Sequence, residues 1–426
     1  MHSLIHAIAL ESSKCVGCTK CLQVCPTEAM RVKFGKAKIL EERCINCGQC
    51  ILVCPHNALY GVTDNFPNIH SFKYNIALVD PVLYGQFHRG ISPSHILSNI
   101  LALGFNECFE TSIGAEYVTK FTKEYIKSKK LVISSSCPTI VRLIQIQFPD
   151  LIDNILPIDT EVEISAQISR EKAIKKTGLN AEEIGVFYIS PCSAKIYSFK
   201  NPVGIIKSSV DATLSIKAVF LEISRTISSG GKANLDYYPS GKGIGFARAG
   251  GQSQAIETTD YLSVDGIRNV ISVLEEVEYK KINDVSFLEC HACTNGCVGG
   301  CLTIENSFVA SNRIKKISEN CFSNEPSSPI ILSDKYLLTE PLHPIKVMNL
   351  SDDLAEALQK MQEIERILLT LPNIDCGACG SPSCKSLAED IALGHAKRSD
   401  CVVILKRCVD STNHEKRPSI LNTQRK

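Results

Sequence analysis

The sequence predicts an α/β protein with parallel sheets, flanked on each side by a small cysteine-rich domain. From Phe72 onward, apolar strand-like runs alternate with helical patterns, which is typical of β-α-β units. Two copies of one cysteine run precede this region, and four more spaced cysteines follow it. We expect an α+β domain at residues 1–62, a two-lobed α/β domain at 63–345, a small helical domain at 346–410 and a polar tail at 411–426.

The composition argues against several classes of protein. The chain of 426 residues has 46 Lys and Arg against 45 Asp and Glu, so its charge favours neither nucleic acid nor a membrane surface. No apolar run approaches the ~18 residues of a membrane span, and the N-terminus lacks the pattern of a signal peptide. The 21 cysteines fall in CxxC-type groups, unlike those of a disulfide-stapled exported protein. We expect a cytoplasmic protein in the reducing interior of an anaerobe.

The same cysteine pattern occurs twice near the N-terminus. Residues 15–26 read CVGCTKCLQVCP and residues 44–55 read CINCGQCILVCP, so both follow C-x2-C-x2-C-x3-C-P. In this bacterial ferredoxin pattern, the fourth cysteine of each run ligates the 4Fe-4S cluster of the other run. This part of the chain resembles a two-cluster ferredoxin and is predicted to carry electrons, with zinc as the alternative for any single CxxC pair. The pattern assigns Cys15, Cys18, Cys21 and Cys54 to one cluster, and Cys44, Cys47, Cys50 and Cys25 to the other.

Two further cysteines follow predicted strands of the α/β region. Cys137 comes directly after LVISSS (131–136), and Cys192 comes two residues after GVFYIS (185–190). Ligands of open parallel sheets gather beyond the carboxyl ends of the strands. A lone cysteine at such a place is more often an inert core residue. Two of them, each beside a proline in a chain already rich in cluster motifs, favour metal ligation.

Residues 289–301 read ECHACTNGCVGGC. Four cysteines and three glycines in thirteen residues leave little side chain to bury, which predicts a metal-binding loop instead of a helix or strand. Cys293 and Cys297 of this stretch complete a set of four with the two cysteines that follow strands. We expect these four residues to hold a third 4Fe-4S cube.

Three segments of this region resemble the cluster-binding signatures of the FeFe hydrogenases, in the order and spacing of that family. They are SSSCP (134–138), SPCSAK (190–195) and ECHACTNGCVGG (289–300), and the similarity extends over about residues 76–305. The resemblance implies that Lys195 hydrogen-bonds a cyanide of a diiron unit; the alternative is a solvated surface lysine. It further implies an H-cluster in which the diiron unit carries CO, CN and a dithiolate amine, Cys297 is the bridge to it, and the 4Fe-4S cube is held by Cys137, Cys192, Cys293 and Cys297.

Three positions depart from the pattern of that family. Ser136 stands where the family has a proton-relaying cysteine, and a hydroxyl titrates too far above neutral pH to store a proton, so slow turnover is expected. Ser190 and His291 replace two methionines near the diiron unit. His291 is interpreted either as a donor to a cyanide or to the reaction, or as a packing residue bonded to backbone.

The carboxylates of the usual proton relay are also absent from their expected positions. In an ungapped register they fall near Phe121 and Thr122, neither of which titrates. Glu116 and Glu124 flank these residues and are expected to point elsewhere on the helix.

The C-terminal region combines a predicted helix with four spaced cysteines. Residues 351–371 place apolar side chains on one helix face, with Ser351 as N-cap, and this helix either packs within the chain or dimerises. The cysteine spacing C-x2-C-x4-C-x16-C resembles the iron-sulfur domain that follows the catalytic domain of sensory hydrogenases; zinc is the alternative. The four cysteines are Cys376, Cys379, Cys384 and Cys401, and the apolar helix positions are Leu354, Leu358, Met361, Ile364 and Leu368.

The resemblance implies a slow FeFe hydrogenase that interconverts H2 with protons and electrons, uses a ferredoxin-type acceptor and serves in hydrogen sensing or regulation. It would contain four 4Fe-4S clusters. Expected partners are H2, protons, a ferredoxin or other redox carrier, a signalling protein and hydrogenase maturation proteins, with no nucleic acid and no membrane. The alternative is an iron-sulfur assembly or electron-transfer protein of the same fold without the diiron unit. The residues expected to act in catalysis are Ser136, Lys195, His291 and Cys297, and the cysteines without an assigned role are Cys108, Cys290, Cys301, Cys321 and Cys408.

Overall fold

The computed structural model describes residues 7–88, 90–227, 240–320, 330–347, 350–351 and 353–407. The predicted polar tail at 411–426, Cys321 and Cys408 lie outside the described residues. In chain order the strands are β1 (Ile8–Leu10), β2 (Met30–Lys33), β3 (Lys36–Ile39), β4 (Leu59–Gly61), β5 (Tyr74–Val79), β6 (Glu107–Glu110), β7 (Val132–Ile133), β8 (Ile184–Ser190), β9 (Ala212–Ser215), β10 (Tyr261–Asp265) and β11 (Phe287–His291). The helices are α1 (Lys20–Val24), α2 (Gln49–Val53), α3 (Val82–Gly85), α4 (Pro93–Ala102), α5 (Ser112–Tyr125), α6 (Pro138–Gln147), α7 (Glu161–Thr177), α8 (Ser193–Lys200), α9 (Ile216–Thr226), α10 (Gly241–Gly245), α11 (Gly251–Ile256), α12 (Ile267–Glu278), α13 (Ser307–Glu319), α14 (Leu354–Leu369) and α15 (Cys384–Ala392).

The chain forms two compact units. The α/β unit contains Met1–Ala9, Ile45–Gly48 and Tyr60–Ile345, and the cysteine unit contains Leu10–Cys44, Gln49–Leu59 and Lys346–Lys426. The division into four domains that the sequence indicates stays a prediction. Among the described residues, none of the helices combines the length and the apolar content needed to cross a bilayer.

Two parallel sheets form the frame of the α/β unit. The first has the strand order β6-β5-β8-β9, and the second has the order β10-β11-β7. Every strand pair in both sheets is parallel, for example with Ile76 opposite Val186 and Val264 opposite Cys290. This confirms the α/β class with parallel sheets. Elsewhere β2 pairs antiparallel with β3, and β1 pairs with β4.

The central strands β5 and β8 are covered on both faces, which is why they read as almost continuous apolar runs. Successive side chains of β5 serve opposite cores, as the two-residue period of a strand requires. Ala77 and Val79 lie in the apolar cluster that includes residues of α4 and α9. Ile76 and Leu78 lie in the cluster that includes residues of α5 and α7.

Helix starts fix the positions of several predicted site residues. α6 begins directly after Cys137, with a proline in its first turn, and α8 begins directly after Cys192. Thr160 caps α7, because its hydroxyl accepts a hydrogen bond from the Glu163 N–H at 3.3 Å. This cap makes Glu161 the first helical residue of α7.

The C-terminal helix begins later than predicted. α14 starts at Leu354 and its N-cap is Asp353, whose carboxylate accepts a hydrogen bond from the Glu356 N–H at 2.8 Å. The predicted cap, Ser351, is wrong, because its hydroxyl bonds the Glu356 side chain at 2.7 Å instead. The predicted apolar face is partly open: Leu354 is 76% exposed, whereas Ile364 is buried in the apolar cluster that surrounds the last cysteine group.

Candidate active site

Four cysteines meet beyond the carboxyl ends of strands from both parallel sheets of the α/β unit. Cys192 follows β8, Cys137 follows β7, and Cys293 and Cys297 follow β11. All four line one cavity, together with Cys47, Ser136, Lys195 and His291. The structure thus brings together the four cysteines that we expect to hold the central cube.

Helix starts and glycines shape this cavity. Cys137 and Cys192 are the N-cap residues of α6 and α8, so both thiols lie at the positive end of a helix, where thiolates are stabilised. Gly300 lines the cavity, and a Cβ there would lie 2.3 Å from the carbonyl oxygen of Pro191. At Gly296, which has φ +84°, a Cβ would lie 2.5 Å from the backbone of the FARAGG segment (246–251). Both positions therefore require glycine.

Burial controls the protonation of these thiols. It raises the pKa values of Cys137, Cys192 and Cys293, and nearby thiols raise them further. Several thiolates can share a buried space only when positive charge accompanies them, and the iron of a cluster supplies that charge. The chemistry of the donor set therefore fits a metal cluster.

The glycine- and cysteine-rich stretch is not a loop throughout. Residues 289–291 form the end of strand β11 and are buried, so the loop prediction is wrong for them. The apolar pair Phe287 and Leu288 starts this strand, and its pairing with β10 continues to His291 opposite Asp265. The loop proper then packs on the FARAGG segment, where the Val298 N–H donates to the Ala247 carbonyl at 3.1 Å.

A buried ion pair lies at this cavity. His291 Nε2 is 2.8 Å from Glu289 Oε1, and both side chains are buried. Burial opposes a charge on His291, but hydrogen bonds to Cys297 and Glu289 outweigh it and raise the pKa of His291 well above its ordinary value. Burial likewise acts to raise the pKa of Glu289, yet hydrogen bonds from His291 and Ser253 hold it below its ordinary value. His291 thus bonds the side chains of Glu289 and Cys297. The alternative interpretation, a packing residue bonded to the backbone, is wrong.

Lys195 is buried, so the alternative of a solvated surface lysine is wrong. Its Nζ lies 2.8 Å from Glu161 Oε1 and 3.3 Å from Asp80 Oδ2. Burial opposes its charge, but Glu161, Tyr188 and Asp80 outweigh burial and raise the pKa of Lys195 well above its ordinary value. An ammonium has three N–H donors, and the two carboxylates use two of them. One donor is left for a ligand in the cavity.

Asp80 and Glu161 were not predicted from the sequence. Asp80 directly follows β5, and its Oδ2 also accepts a hydrogen bond from the Tyr188 hydroxyl at 2.6 Å. Glu161 presents a second oxygen, Oε2, that is buried without a hydrogen-bond partner among the described residues. The available signal for Asp80 was an acidic residue directly after the apolar run of residues 76–79, where a buried charge needs a partner.

The residues that depart from the family pattern differ in their surroundings. Ser136 lines the cavity, and within the described part of the chain its buried hydroxyl has no hydrogen-bond partner. The Ser190 hydroxyl instead donates to the Cys192 carbonyl at 2.9 Å. Glu116, which we expect to point elsewhere on its helix, is buried and accepts a hydrogen bond from the Ser240 N–H at 2.5 Å.

In the cysteine unit, a second cavity joins the two N-terminal cysteine runs. Burial raises the pKa of Cys21 to about 11, and the nearby thiols of the same set raise it as well. At Cys54, backbone N–H groups outweigh the effect of burial and lower the pKa. The fourth cysteine of the second run therefore lies with the first three of the first run, since the cavity is lined by Cys15, Cys18, Cys21 and Cys54.

The other four cysteines of these runs are divided between the units. Cys44 and Cys50 are buried in the cysteine unit, where Cys25 also accepts a hydrogen bond from the Ala29 N–H at 3.2 Å. Cys47 belongs to the α/β unit and lines the central cavity. Their assignment to one cluster stays a prediction.

The C-terminal cysteines also gather within the cysteine unit. Burial raises the pKa of Cys379, and the nearby thiols of Cys376 and Cys401 add to this effect. Cys384 and Cys401 are buried in the apolar cluster around Ile364. No three His, Cys, Asp or Glu side chains of the described residues converge in the way a single metal ion requires. A 4Fe-4S cube is larger than one ion, and its thiolates stand further apart.

Comparison with known proteins assigns three segments of the chain. Residues 14–58 match the family model "4Fe-4S dicluster domain", and residues 371–403 match "Putative Fe-S cluster". Residues 73–263 match "Iron only hydrogenase large subunit, C-terminal domain". Through this segment, the chain is similar to iron-only hydrogenases. The matched range of the hydrogenase domain includes Cys137, Cys192 and Lys195 of the central cavity.

Two curated relatives are hydrogenase subunits. The periplasmic Fe hydrogenase large subunit of Nitratidesulfovibrio vulgaris is 26% identical over 269 residues, which are 56% of this chain and 61% of that protein. The NADP-reducing hydrogenase subunit HndD of Solidesulfovibrio fructosivorans is 22% identical over 247 residues, 54% of this chain and 37% of that protein. The chain thus spans less than two thirds of the length of either relative.

Solved structures show the same fold. An FeFe hydrogenase studied for oxygen inactivation at the 2Fe subcluster of its H cluster has a TM-score of 0.51 at 12% identity, covering 65% of this chain and 95% of that one. A variant of an FeFe hydrogenase from Chlamydomonas reinhardtii has a TM-score of 0.50 at 12% identity, with coverage of 65% and 95%. These similarities show the fold of the α/β unit.

The side chains at the central cavity fit the cofactor of this family. Four converging thiols can hold a cube, and Lys195 retains a donor for an anionic group. The unpartnered hydroxyl of Ser136 provides a further donor and acceptor at the same cavity.

Proposed function

We propose that this protein catalyses the slow, reversible conversion of H2 to two protons and two electrons. The observation that supports it is the cavity at which four cysteines meet beside the buried ammonium of Lys195. A 4Fe-4S cube on these thiolates, joined through Cys297 to a diiron unit with CO, CN and a dithiolate amine, would supply the chemistry that splits H2.

Lys195 is assigned to orient the anionic part of this cofactor. Its contacts with Glu161 and Asp80 fix the ammonium in one position, because a buried charge is stable only when it is paired. A donor that is fixed beforehand costs no reorganisation when a ligand binds. Lys195 is therefore a binding residue for the cyanide group, positioned by the two carboxylates.

Proton exchange at the cavity is assigned to Ser136. Its hydroxyl has no partner among the described residues and so is available to pass a proton by hydrogen-bond exchange. It does not hold an ionisable proton near neutral pH, and this limits the rate. We assign His291 to donate a hydrogen bond to the Cys297 sulfur, because its other side is occupied by Glu289.

We assign the approach of H2 to a mainly apolar cavity beside the site. Its wall includes Val141, Ile155 and Ile158, and it extends past Ser135. Pro138 lines both this cavity and the central one, so the two share a wall within the α/β unit. A small apolar gas enters the apolar part of such a cavity more readily than water does.

Electrons are proposed to pass through the cysteine-rich modules to a ferredoxin-type carrier. Cys47, which the sequence assigns to a ferredoxin cluster, lines the central cavity and so lies beside the cysteines of the cube. Slow turnover at Ser136 suits a regulatory protein that reports hydrogen or redox state to a signalling partner. The proposal includes a cytoplasmic location and the help of maturation proteins that insert the diiron unit.

A second candidate is an iron-sulfur carrier or assembly protein that lacks the diiron unit. The observation that favours it is the pairing of Lys195 with two carboxylates, which cancels the positive charge that an anionic unit would meet.

Infrared spectroscopy separates the two candidates. Full-length protein matured anaerobically with the diiron cofactor is expected to show carbonyl and cyanide stretching bands and to exchange deuterium between D2 and water. Cys297→Ala is the matched control, since it should lose the bands while its N-terminal and C-terminal clusters keep their iron. Wild-type protein with its cubes filled but with neither bands nor exchange would support the carrier and overturn the hydrogenase proposal.

A further inference from the structure

Within the cysteine unit, the C-terminal cysteine group lies against the cavity of the first ferredoxin group. The Val32 N–H donates to the Gly380 carbonyl at 2.8 Å, and Gly380 directly follows Cys379. Val32 also lines the cavity of Cys15, Cys18, Cys21 and Cys54. With ~3.8 Å between consecutive α-carbons and ~5 Å across a backbone pair, the α-carbons of Cys379 and Val32 are within about 9 Å of each other. Val32 of β2 thus lines the cavity of one cysteine group and bonds the loop of the other.

This contact leaves no room for a side chain. Gly380 has φ +86°, and a Cβ there would lie 1.7 Å from the Val32 carbonyl oxygen. At Gly377, a Cβ would lie 3.9 Å from Leu22, which neighbours Cys21 in α1. The loop that carries Cys376 and Cys379 therefore packs directly on the strand and helix beside the ferredoxin cavity.

Two ion pairs, of which the first is buried, join the same surfaces. The Arg31 guanidinium donates to both carboxylate oxygens of Asp390, at 2.7 and 3.0 Å, and these side chains are 3% and 9% exposed. Arg43 pairs with Glu389, the neighbour of Asp390 in α15. A bidentate arginine-carboxylate pair fixes geometry as well as distance. Removing one partner of such a buried pair leaves an uncompensated charge, so the two surfaces separate only at high cost.

We propose that the C-terminal cluster and the cluster at the first ferredoxin group form one fixed electron-transfer pair. In the direction of H2 oxidation, the reduced ferredoxin cluster would give one electron to the C-terminal cluster. The first cluster is thereby oxidised and the second reduced, each by one electron. The electron then passes to an external one-electron carrier protein at the exposed Cys376. The inference rests on the proposed iron-sulfur clusters but needs neither the diiron unit nor hydrogenase activity.

Electron paramagnetic resonance of the reduced, cluster-loaded full chain tests this pair. Close paramagnetic clusters broaden each other's signals and speed each other's relaxation. We expect Cys384→Ser, which removes one ligand of the C-terminal cluster, to narrow the ferredoxin signals and slow their relaxation. Identical ferredoxin signals in wild type and Cys384→Ser would overturn the proposal, as would a diamagnetic zinc ion at the C-terminal site.

Alanine substitutions at two glycines test the contact between Gly380 and Val32. Gly380→Ala places a methyl group against Val32, whereas Gly394→Ala imposes similar strain at φ +76° with no atom within 4 Å of the new carbon. Gly380→Ala is expected to lose the magnetic interaction while retaining its iron, and Gly394→Ala is expected to keep both. Retention of the interaction in iron-replete Gly380→Ala refutes the role of the contact. If Gly380→Ala loses iron, the comparison of wild type with Cys384→Ser alone decides whether the two clusters form a pair. The infrared bands described above test the diiron proposal independently of this result.

Discussion

Replacing Glu289 with glutamine tests whether a carboxylate holds His291 in its charged form. Glu289 Oε1 faces His291 at 2.8 Å and the Gly250 N–H at 2.9 Å, while Oε2 accepts from the Ser253 N–H and hydroxyl at 2.9 and 2.7 Å. Glutamine has nearly the same shape but presents an NH2 group on one side. In either orientation of the amide, one backbone N–H loses its acceptor, and the ion pair disappears.

The expected loss of stability follows from burial. Removing one partner of a buried ion pair costs about 3–5 kcal/mol, because the other charge is left without compensation. His291 reduces this cost by releasing its proton, but an orphaned backbone N–H still costs about 1–3 kcal/mol. We therefore expect Glu289→Gln to lose about 3 kcal/mol. At about 2–4 °C per kcal/mol for a large domain, the melting temperature should fall by about 6–12 °C.

Anaerobic thermal melts of cluster-loaded protein, followed by circular dichroism, measure this shift. Glu276→Gln is the matched control, because Glu276 is exposed on α12 and a surface change of this kind stays within about 0.5 kcal/mol. A melting temperature for Glu289→Gln that equals the control would show that the carboxylate does not stabilise a charged His291. The electrostatic description of the cavity would then be incorrect.

Three further predictions concern the proton donor, the lysine and the pH dependence of stability. Ser136→Cys should raise H2 turnover by about tenfold or more, since a positioned acid accelerates a reaction by a factor of about 10²–10⁴. The control variant Ser135→Cys should leave turnover unchanged. Unchanged or slower turnover in Ser136→Cys would contradict the relay argument. Lys195→Met should abolish the infrared bands of matured protein, whereas Lys38→Met, at an exposed position of β3, should retain them. Burial raises the pKa of Glu110 from 4.5 to about 7, so its stabilising effect is complete below about pH 4.5 and is lost as the pH rises through about 7. Urea titrations at several pH values should therefore show that the free energy of unfolding of Glu110→Gln changes by about 3 kcal/mol less over this pH range than that of wild type. Parallel plots of unfolding free energy against pH for the two proteins would refute this prediction.

The sequence was sufficient for features that depend on local pattern. Continuous apolar runs predict buried parallel strands, and the structure confirms the parallel sheets. A cysteine after such a run lies at a strand end whatever the rest of the fold does, which is why Cys137 and Cys192 were found. The start of α14 was missed because more than one polar residue before the helix can serve as the cap. Asp353 accepts a hydrogen bond from a helix N–H, whereas Ser351 bonds the Glu356 side chain.

Charge pairing was beyond the sequence because it depends on tertiary neighbours. Lys195 meets Glu161 across 34 positions and Asp80 across 115 positions of the chain. Arg31 meets Asp390 across 359 positions. No periodicity or spacing in the sequence connects one member of such a pair with the other. Only the folded chain shows that they are buried and paired.

The pairing of charges also limits what the central cavity can bind. Two cations, Lys195 and His291, are paired here with three carboxylates, those of Glu161, Asp80 and Glu289. These five groups therefore carry one net negative charge before any thiolate is counted. Further negative charge in a buried site is costly. Attraction to the protein's charge therefore cannot be what retains an anionic cofactor here. The cofactor must instead be held by its bonds to the four thiolates and by the one remaining N–H donor of Lys195. The geometry of these five side chains therefore decides whether the diiron unit is held.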